Sequence, residues 1–336
     1  MRAERKKEHL ENYLRTGHEG NPLFSDIYIE HNALPLLALD EIDTSTEFLG
    51  KKIAYPLMIN AMTGGGEFAM EINRQLADMA RTYEIPMAVG SQTIALENGE
   101  EAERSFRVVR EEMGEGLVLA NLNANATPQD ALRAIDMVQA DALQIHLNVA
   151  QELVMKEGDR NFSGVLDRMR KIRDAIPVPI IVKETGTGIA GSVAARLAAE
   201  GFRHIDVSGA GGTNFVEIEN LRTADQDFSE LFGWGIPTAK ALIDARNRVP
   251  DAFLIGSGGV RTSMDIVKAL IIGADLTAAS GEILSFLVHG GSDYAKNYLE
   301  QQFYKLKVIM LMLGAKTIQE LKDVPYKTTG RLQEIL

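Results

Sequence analysis

Eight short apolar runs, separated by longer amphipathic stretches, constrain what this chain can fold into more than any other feature. The runs occupy residues 56–60, 85–89, 117–121, 142–147, 179–182, 204–207, 252–255 and 275–279. Their length and Val/Ile/Leu content suit strands buried on both faces of a parallel sheet. Between them, apolar residues return at helical spacing. Met70, Ile72, Leu76, Met79 and Ala80 do so within residues 67–83. Thr127 and Pro128 read as the N-cap and first residue of a helix over 128–138. The stretches 190–200 and 263–272 stop at Gly201 and Gly273, each a helix terminator.

Strict strand–helix alternation implies a parallel sheet. Eight complete units place the chain in the α/β class as a closed (β/α)8 TIM barrel rather than an open doubly wound sheet. The chain has 336 residues, more than the roughly 250 such a barrel needs. The surplus falls mainly at the ends. Residues 1–49 precede the first strand, and residues 297–336 carry a long final helix over 298–313 that is expected to pack on the barrel. The whole is expected to be one domain. A long connection, 209–235, follows the sixth run, and loops of that length are usually functional or mobile.

The formal net charge of −12 argues against non-specific nucleic-acid binding, which needs a basic surface. A local basic cluster can still hold an anionic ligand. The chain has no cysteine, so disulfides, thiolate metal sites and cysteine catalysis are excluded. The first eleven residues are charged with no apolar run behind them, so no secretory signal is expected. No stretch reaches the length of a membrane helix. A cytoplasmic protein is expected.

In such barrels the active site forms at the C-terminal strand ends. Here those ends are rich in amides, hydroxyls and glycine: "INAMTGGG", "VGSQT", "ANLNAN", "QIHLNVAQE", "KETGTG", "DVSGAGGTN" and "IGSGGVR". Ordinary turn chemistry explains any one of them; so many around one mouth point to a ligand. "GAGGT" and "GSGGVR" follow the sixth and seventh runs, and Ser280 and Gly281 follow the eighth. Backbone N–H groups in such turns can approach phosphate closely, and barrel phosphate sites use this region.

Lys183 ends the fifth run and should face an anionic partner. Three readings stand: a pair with a carboxylate such as Glu184, a Schiff-base lysine, or a counter-charge to a reduced flavin. The phosphate turns favour the third. Gln144, His146 and Asn148 alternate onto one face, with Gln151 and Glu152 following. Glu152 suits Mg²⁺, which takes one or two carboxylates plus substrate phosphates. At the N-terminus, Arg2, Arg5, Lys6 and His9 fall on one helical stripe that suits a diphosphate; alone it would read as a solvated face.

Together these residues resemble the type 2, FMN-dependent isopentenyl-diphosphate delta-isomerases. The resemblance runs through "RKKEH", "FLGKKIAYPLMINAMTGG", "VGSQ", "SFRVVR", "ANLNAN", "QIHLNVAQE", "VPIIVKETGTG", "DVSGAGGTNFVEIEN", "GIPTAKAL" and "GSGGVRTSMDIVKALIIGAD". It implies FMN contacts at Ala61, Met62, Thr63, Ser91, Asn121 and Asn123 around the ring, with Lys183 near its N1 edge. Ser208, Thr213, Gly259, Arg261, Ser280 and Gly281 would hold the ribityl chain and phosphate. Arg5, Lys6 and His9 would bind the substrate diphosphate. His146, Asn148 and Gln151 would line the substrate, with His146, Gln151 and Lys183 as catalytic groups and Glu152 on Mg²⁺. Two departures stand out: Thr93 replaces an arginine common after "GSQ", and Asn214–Phe215 replace a Ser–Trp pair.

The implied reaction interconverts isopentenyl and dimethylallyl diphosphate by adding one proton and removing another, within isoprenoid biosynthesis. There is no net redox change, yet reduced FMN is required, with NADPH or NADH as reductant. Either the flavin N5 or Gln151 is the proton donor. The family also implies a homo-oligomer, a tetramer or larger, up to an octamer. The apolar C-terminal helix and the N-terminus are its candidate contacts. Two other readings are an FMN oxidoreductase with net hydride transfer and a phosphate-ligand sensor that kept the barrel.

Overall fold

In the computed structural model, residues 2–16, 20–222 and 226–336 are described, without the side chains of residues 2–7, 10 and 98. Eight parallel strands close into a barrel in which neighbours in sequence are neighbours in space. They are β1 (Leu57–Ile59), β2 (Met87–Ala88), β3 (Val118–Asn123), β4 (Ala142–His146), β5 (Ile180–Lys183), β6 (His204–Asp206), β7 (Phe253–Ser257) and β8 (Leu276–Ala279). Each overlaps one apolar run, with Val118–Asn123, Ile180–Lys183 and Phe253–Ser257 reaching one or two residues further into the polar strand ends. Closure is by β8 on β1, with Ala279 opposite Ile59.

The main helices are Glu67–Thr82, Glu100–Met113, Pro128–Val138, Val165–Ala175, Gly191–Ala199, Thr238–Arg248, Ser263–Ile271 and Gly281–Leu313. Thr127 caps its helix as its sequence suggests, accepting from the Asp130 N–H while Asp130 bonds back to the Thr127 N–H. Thr262 and Asp265 repeat the arrangement. The apolar faces of the helices pack on the outside of the strands in one continuous core. A second cluster fills the barrel: Met58, Ala88, Leu119, Ala142, Ile181, Ile255, Leu276 and Ala278, joined by Phe48 and Ile53.

Those last two belong to a hairpin, Thr46–Phe48 paired with Lys51–Ile53. Its turn, Leu49 (φ 52) and Gly50 (φ 75), has both residues left-handed, the geometry that two-residue hairpin loops prefer. The hairpin stops the N-terminal end of the barrel with apolar side chains, which leaves the other end for polar chemistry. Strands Ile27–Ile29 and Tyr326–Thr328 form a second antiparallel pair that ties the two ends of the chain together.

The final helix differs from expectation. It starts at Gly281, not near residue 298, and is the barrel's own eighth helix, interrupted at Gly291 (φ 78, ψ 179). The adjacent Gly290 and Gly291 break the ladder that the later apolar pattern resumes. Leu299, Phe303, Leu306 and Met310 recur at i, i+4, i+7 and i+11 and are all buried on the barrel. That stripe is used within the chain, so it offers little to a second copy.

Candidate active site

The inward face of each strand changes character along its length. On β3, Leu119 lies in the barrel core while Asn121 and Asn123 line the cavity above it. On β5 the order is Ile181 then Lys183, and on β7 Ile255 then Ser257. The period-2 pleat thus sets an apolar floor beneath a ring of polar groups. The cavity they open into is about 470 Å³, within the range of small-molecule sites.

Ala61, Met62, Thr63, Ser91, Asn121, Asn123, Lys183, Ser208, Thr213, Gly259, Arg261, Ser280 and Gly281 all line this cavity. So do His9, His146, Asn148, Gln151 and Glu152. Arg5 and Lys6 carry side chains outside the described residues. Their backbone belongs to the helix Arg2–Thr16, the element that brings His9 and Tyr13 to the cavity.

A run of largely buried side chains crosses the barrel at the floor of the cavity, where Asn60, Asn121, His146, Ser208 and Ser257 also line it. Asp206 accepts from Ser208 N–H and hydroxyl (both 3.1 Å), from the Ser257 hydroxyl (2.5 Å) and from Asn60 Nδ2 (2.8 Å). Asn60 Oδ1 accepts from Gln144 Nε2 (2.8 Å), and Gln144 Oε1 from Asn121 Nδ2 (2.9 Å). Asn121 Oδ1 then meets His146 Nδ1 at 2.9 Å. Ser208 holds φ 41, a left-handed conformation that a non-glycine residue keeps only when its surroundings fix it.

Lys183 is buried, and burial pulls its ammonium below the ordinary lysine range against the opposing fields of Asp206 and Glu184. Its Nζ donates to the Glu184 backbone carbonyl at 2.5 Å. The alternative of a carboxylate pair with Glu184 is not formed. Glu184 Oε2 instead accepts the N–H groups of Gly186, Thr187 and Gly188 and shapes the turn.

The two glycine turns lie against each other. A Cβ on Gly258 (φ +101) would sit 2.0 Å from the Gly209 carbonyl oxygen, and one on Gly259 (φ +79) 2.5 Å from that of Gly211. Arg261 Nη2 reaches across to the Gly211 carbonyl at 2.6 Å. Glycine is therefore required here by contact and by conformation. The turn backbones are packed tightly enough to form a cradle beside Ser280 and Gly281 at the start of the last helix.

The N-terminal helix closes over the cavity through a carboxylate that the sequence did not flag. Glu219 is fully buried on the helix Phe215–Asn220. Its Oε1 accepts from Gln151 Nε2 at 2.9 Å and lies 2.8 Å from His9 Nε2. Its Oε2 lies 2.5 Å from Arg222, which also pairs with Glu8 and Glu157. Burial opposes the charge of Glu219, but the contacts from His9, Gln151 and Arg222 outweigh it and hold the carboxyl below its ordinary value. Nothing in "VEIEN" distinguishes this glutamate from a solvated one.

Glu152 accepts from Asn148 Nδ2 and from the Asp159 N–H, both at 2.8 Å. No group of three or more His, Asp or Glu suited to a metal occurs among the described residues. A cation at Glu152 would thus take its other ligands from phosphate and water. Thr93, in the place of the arginine, lines the cavity and bonds to Ser91 (3.1 Å). Asn214 caps the helix that follows it. Phe215 meets His9 edge to face, with centroids 5.8 Å apart, so an aromatic wall persists without tryptophan.

Residues 105–326 match the FMN-dependent dehydrogenase family. Solved structures of the same fold include mandelate oxidase with (S)-4-hydroxymandelic acid (TM-score 0.69, 13% identity, 97% of this chain and 98% of that one). A lactate oxidase from Pediococcus acidilactici is another (TM-score 0.68, 17% identity, 96% and 87%). The chain belongs to the FMN-dependent dehydrogenase family. Within it, the isopentenyl-diphosphate delta-isomerase of Geobacillus sp. (strain WCH70) is 44% identical over 98% of this chain and 94% of the relative. That of Listeria innocua is 42% identical over 99% and 93%. The chain is a member of the isopentenyl-diphosphate delta-isomerase family.

Proposed function

We propose that this chain interconverts isopentenyl diphosphate and dimethylallyl diphosphate with bound, reduced FMN. One observation carries the reading: a single cavity unites a glycine cradle, a buried lysine and the cluster His146, Asn148, Gln151 and Glu152.

FMN fits the residues present. The cradle, with its missing Cβ atoms, leaves backbone N–H groups open to a phosphate, and Arg261, Thr213, Ser208, Ser280 and Gly281 stand beside it. Ala61, Met62, Thr63, Ser91, Asn121 and Asn123 offer a wall of amide, hydroxyl and apolar groups for the ring. Lys183 is a desolvated cation that an anionic ligand would complete. When bound and reduced, FMN supplies a proton-exchanging nitrogen and a delocalised negative charge.

The chain's own residues bind, orient and enclose. Lys183 places positive charge at the cavity floor. His9, with Arg5 and Lys6 on the same helix, holds the diphosphate under the N-terminal helix and excludes water. Glu152 takes Mg²⁺ as its one carboxylate ligand, the remaining positions going to phosphate and water. Gln151 is oriented by Glu219: its Nε2 is bonded there, and its Oε1 accepts from Asn148 at 3.3 Å. Both ends of the Gln151 amide are thus engaged, which orients it on the cavity wall. His146, an imidazole on the same wall, is suited to relay a proton.

NADPH or NADH is the reductant in this reading. The protein works in the cytoplasm, consistent with no described helix being long and apolar enough to cross a membrane. It assembles as a homo-oligomer, tetramer or octamer, for which Leu34, Leu36 and Trp234 are strongly exposed apolar side chains.

The test is direct. The purified protein should be yellow. Reduced without oxygen and given isopentenyl diphosphate with Mg²⁺, it should form dimethylallyl diphosphate. No conversion, with flavin bound and reduced, would point to a sensor and overturn the proposal.

A further inference from the structure

We infer that a buried hydrogen-bond run from Asp206 through the side-chain amides of Asn60, Gln144 and Asn121, pinned at Asn60 also by the Ala61 N–H, sets the tautomer of His146 from across the barrel. The inference deepens the proposed function, resting on His146 as a proton-relaying group of that cavity.

Hydrogen-bond polarity runs one way along these residues. All four residues preceding His146 in the run are buried, at most 3% exposed, so each polar atom must find a complementary partner. An amide can be turned either way unless something fixes it. Asn60 is fixed twice. Its Oδ1 accepts the Ala61 backbone N–H at 2.9 Å, and a backbone N–H can only donate. Its Nδ2 faces Asp206, whose other oxygen already accepts the Ser208 N–H.

From that pinned end each next orientation follows. Asn60 Oδ1 requires Gln144 to present Nε2. Gln144 then has only Oε1 for Asn121, which must present Nδ2. Asn121 is left with Oδ1 facing His146 Nδ1. An oxygen acceptor requires a donor opposite, so the ring carries its proton on Nδ1. In the neutral ring Nε2 is then the acceptor.

The residues come from strands that are not all neighbours. Asn60 follows β1, Asn121 lies on β3, Gln144 on β4 and Asp206 on β6, and β1 is three places from both β4 and β6 in the barrel. The run therefore passes through the barrel interior. Asp206, Asn60 and Gln144 act through their neighbours and are positioning residues.

The experiment uses the FMN-bound protein labelled with ¹⁵N-histidine, in which two-bond ¹H–¹⁵N correlations report which ring nitrogen carries the proton. His146 is assigned among the six histidines by its loss in His146→Gln. In the unaltered protein the Nδ1–H form should exceed the other by about tenfold or more, since one mispaired buried hydrogen bond outweighs the intrinsic preference. Gln144→Met, similar in shape but without polarity, should release Asn121 and give a mixture. Adding Asn121→Asp to Gln144→Met should restore the Nδ1–H form, because a carboxylate can only accept. A dominant Nε2–H form in the unaltered protein overturns the inference without any variant. So does an unchanged single tautomer in a folded Gln144→Met. Absence of isomerase turnover with the predicted tautomer intact would count against the function, not against this relay.

Discussion

Replacing Gly258 by alanine separates the cradle from the general cost of a side chain at positive φ. A Cβ there would lie 2.0 Å from the Gly209 oxygen and 2.8 Å from its carbon and nitrogen. That oxygen distance is more than an ångström inside a close C···O contact of about 3.3 Å. The obstacle is backbone, so the Gly209 turn must move. Conformational strain at φ +101 adds about 1–3 kcal/mol. Displacing the turn should remove at least one charge-assisted hydrogen bond to the FMN phosphate, worth about 1.5–3 kcal/mol. The FMN dissociation constant should therefore rise about 10- to 100-fold. Gly50→Ala is the control: Gly50 has φ +75 with nothing within 4 Å of the added Cβ. It should lower the unfolding midpoint yet leave FMN binding unchanged. Titration of the apoprotein with FMN, followed by flavin fluorescence, reads both. A Kd within twofold of the parent in Gly258→Ala, or an equal loss in Gly50→Ala, would refute the cradle.

Three further expectations follow from the same site. Glu152→Gln should weaken Mg²⁺-dependent turnover while leaving FMN bound; unchanged activity at limiting Mg²⁺ would remove Glu152 from the metal. If Lys183 is the proposed counter-charge to reduced flavin, Lys183→Met should lower the midpoint potential of bound FMN by about 30–60 mV, about 1.4–2.8 kcal/mol for two electrons. Potentiometric titration checks this, and an unshifted potential would separate Lys183 from the flavin. Glu219 lies below its ordinary 4.5 when folded. Its pairing with His9, Gln151 and Arg222 should therefore stabilise fully above pH 4.5 and be lost as pH falls through the folded value. Proteolysis of the N-terminal helix should accelerate over that window, and Glu219→Gln, at a cost of about 1–3 kcal/mol, should make it fast at neutral pH as well.

Which parts of this molecule could be read from its sequence follows from the physics of each. The eight strands were legible because strands buried on both faces are continuous apolar runs. Even β2, only Met87–Ala88, lies within its run. The cradle was legible because the glycine turns come in chain order at the mouth. Gln144, His146 and Asn148 were legible as one face from alternation alone. Glu219 was not, because a glutamate on a six-residue helix looks solvated until Gln151, His9 and Arg222 are brought to it by other elements. The Asp206 run was hidden for a similar reason: each member is an ordinary polar strand-end residue, and only barrel closure joins them. Of the three readings of Lys183, the pair with Glu184 is the one the fold removes, since local turn geometry directs Glu184 to three backbone N–H groups. The start of the last helix was missed because Gly290 and Gly291 interrupt its pattern.

The chain should move protons over a flavin without consuming electrons. The measurement is the ratio of dimethylallyl diphosphate formed to reducing equivalents consumed, taken anaerobically after one reduction of the bound FMN. Many product molecules per reducing equivalent are expected, with the flavin still reduced at the end. A ratio of one, with flavin reoxidised in step with product, would make the chain an oxidoreductase and contradict the account.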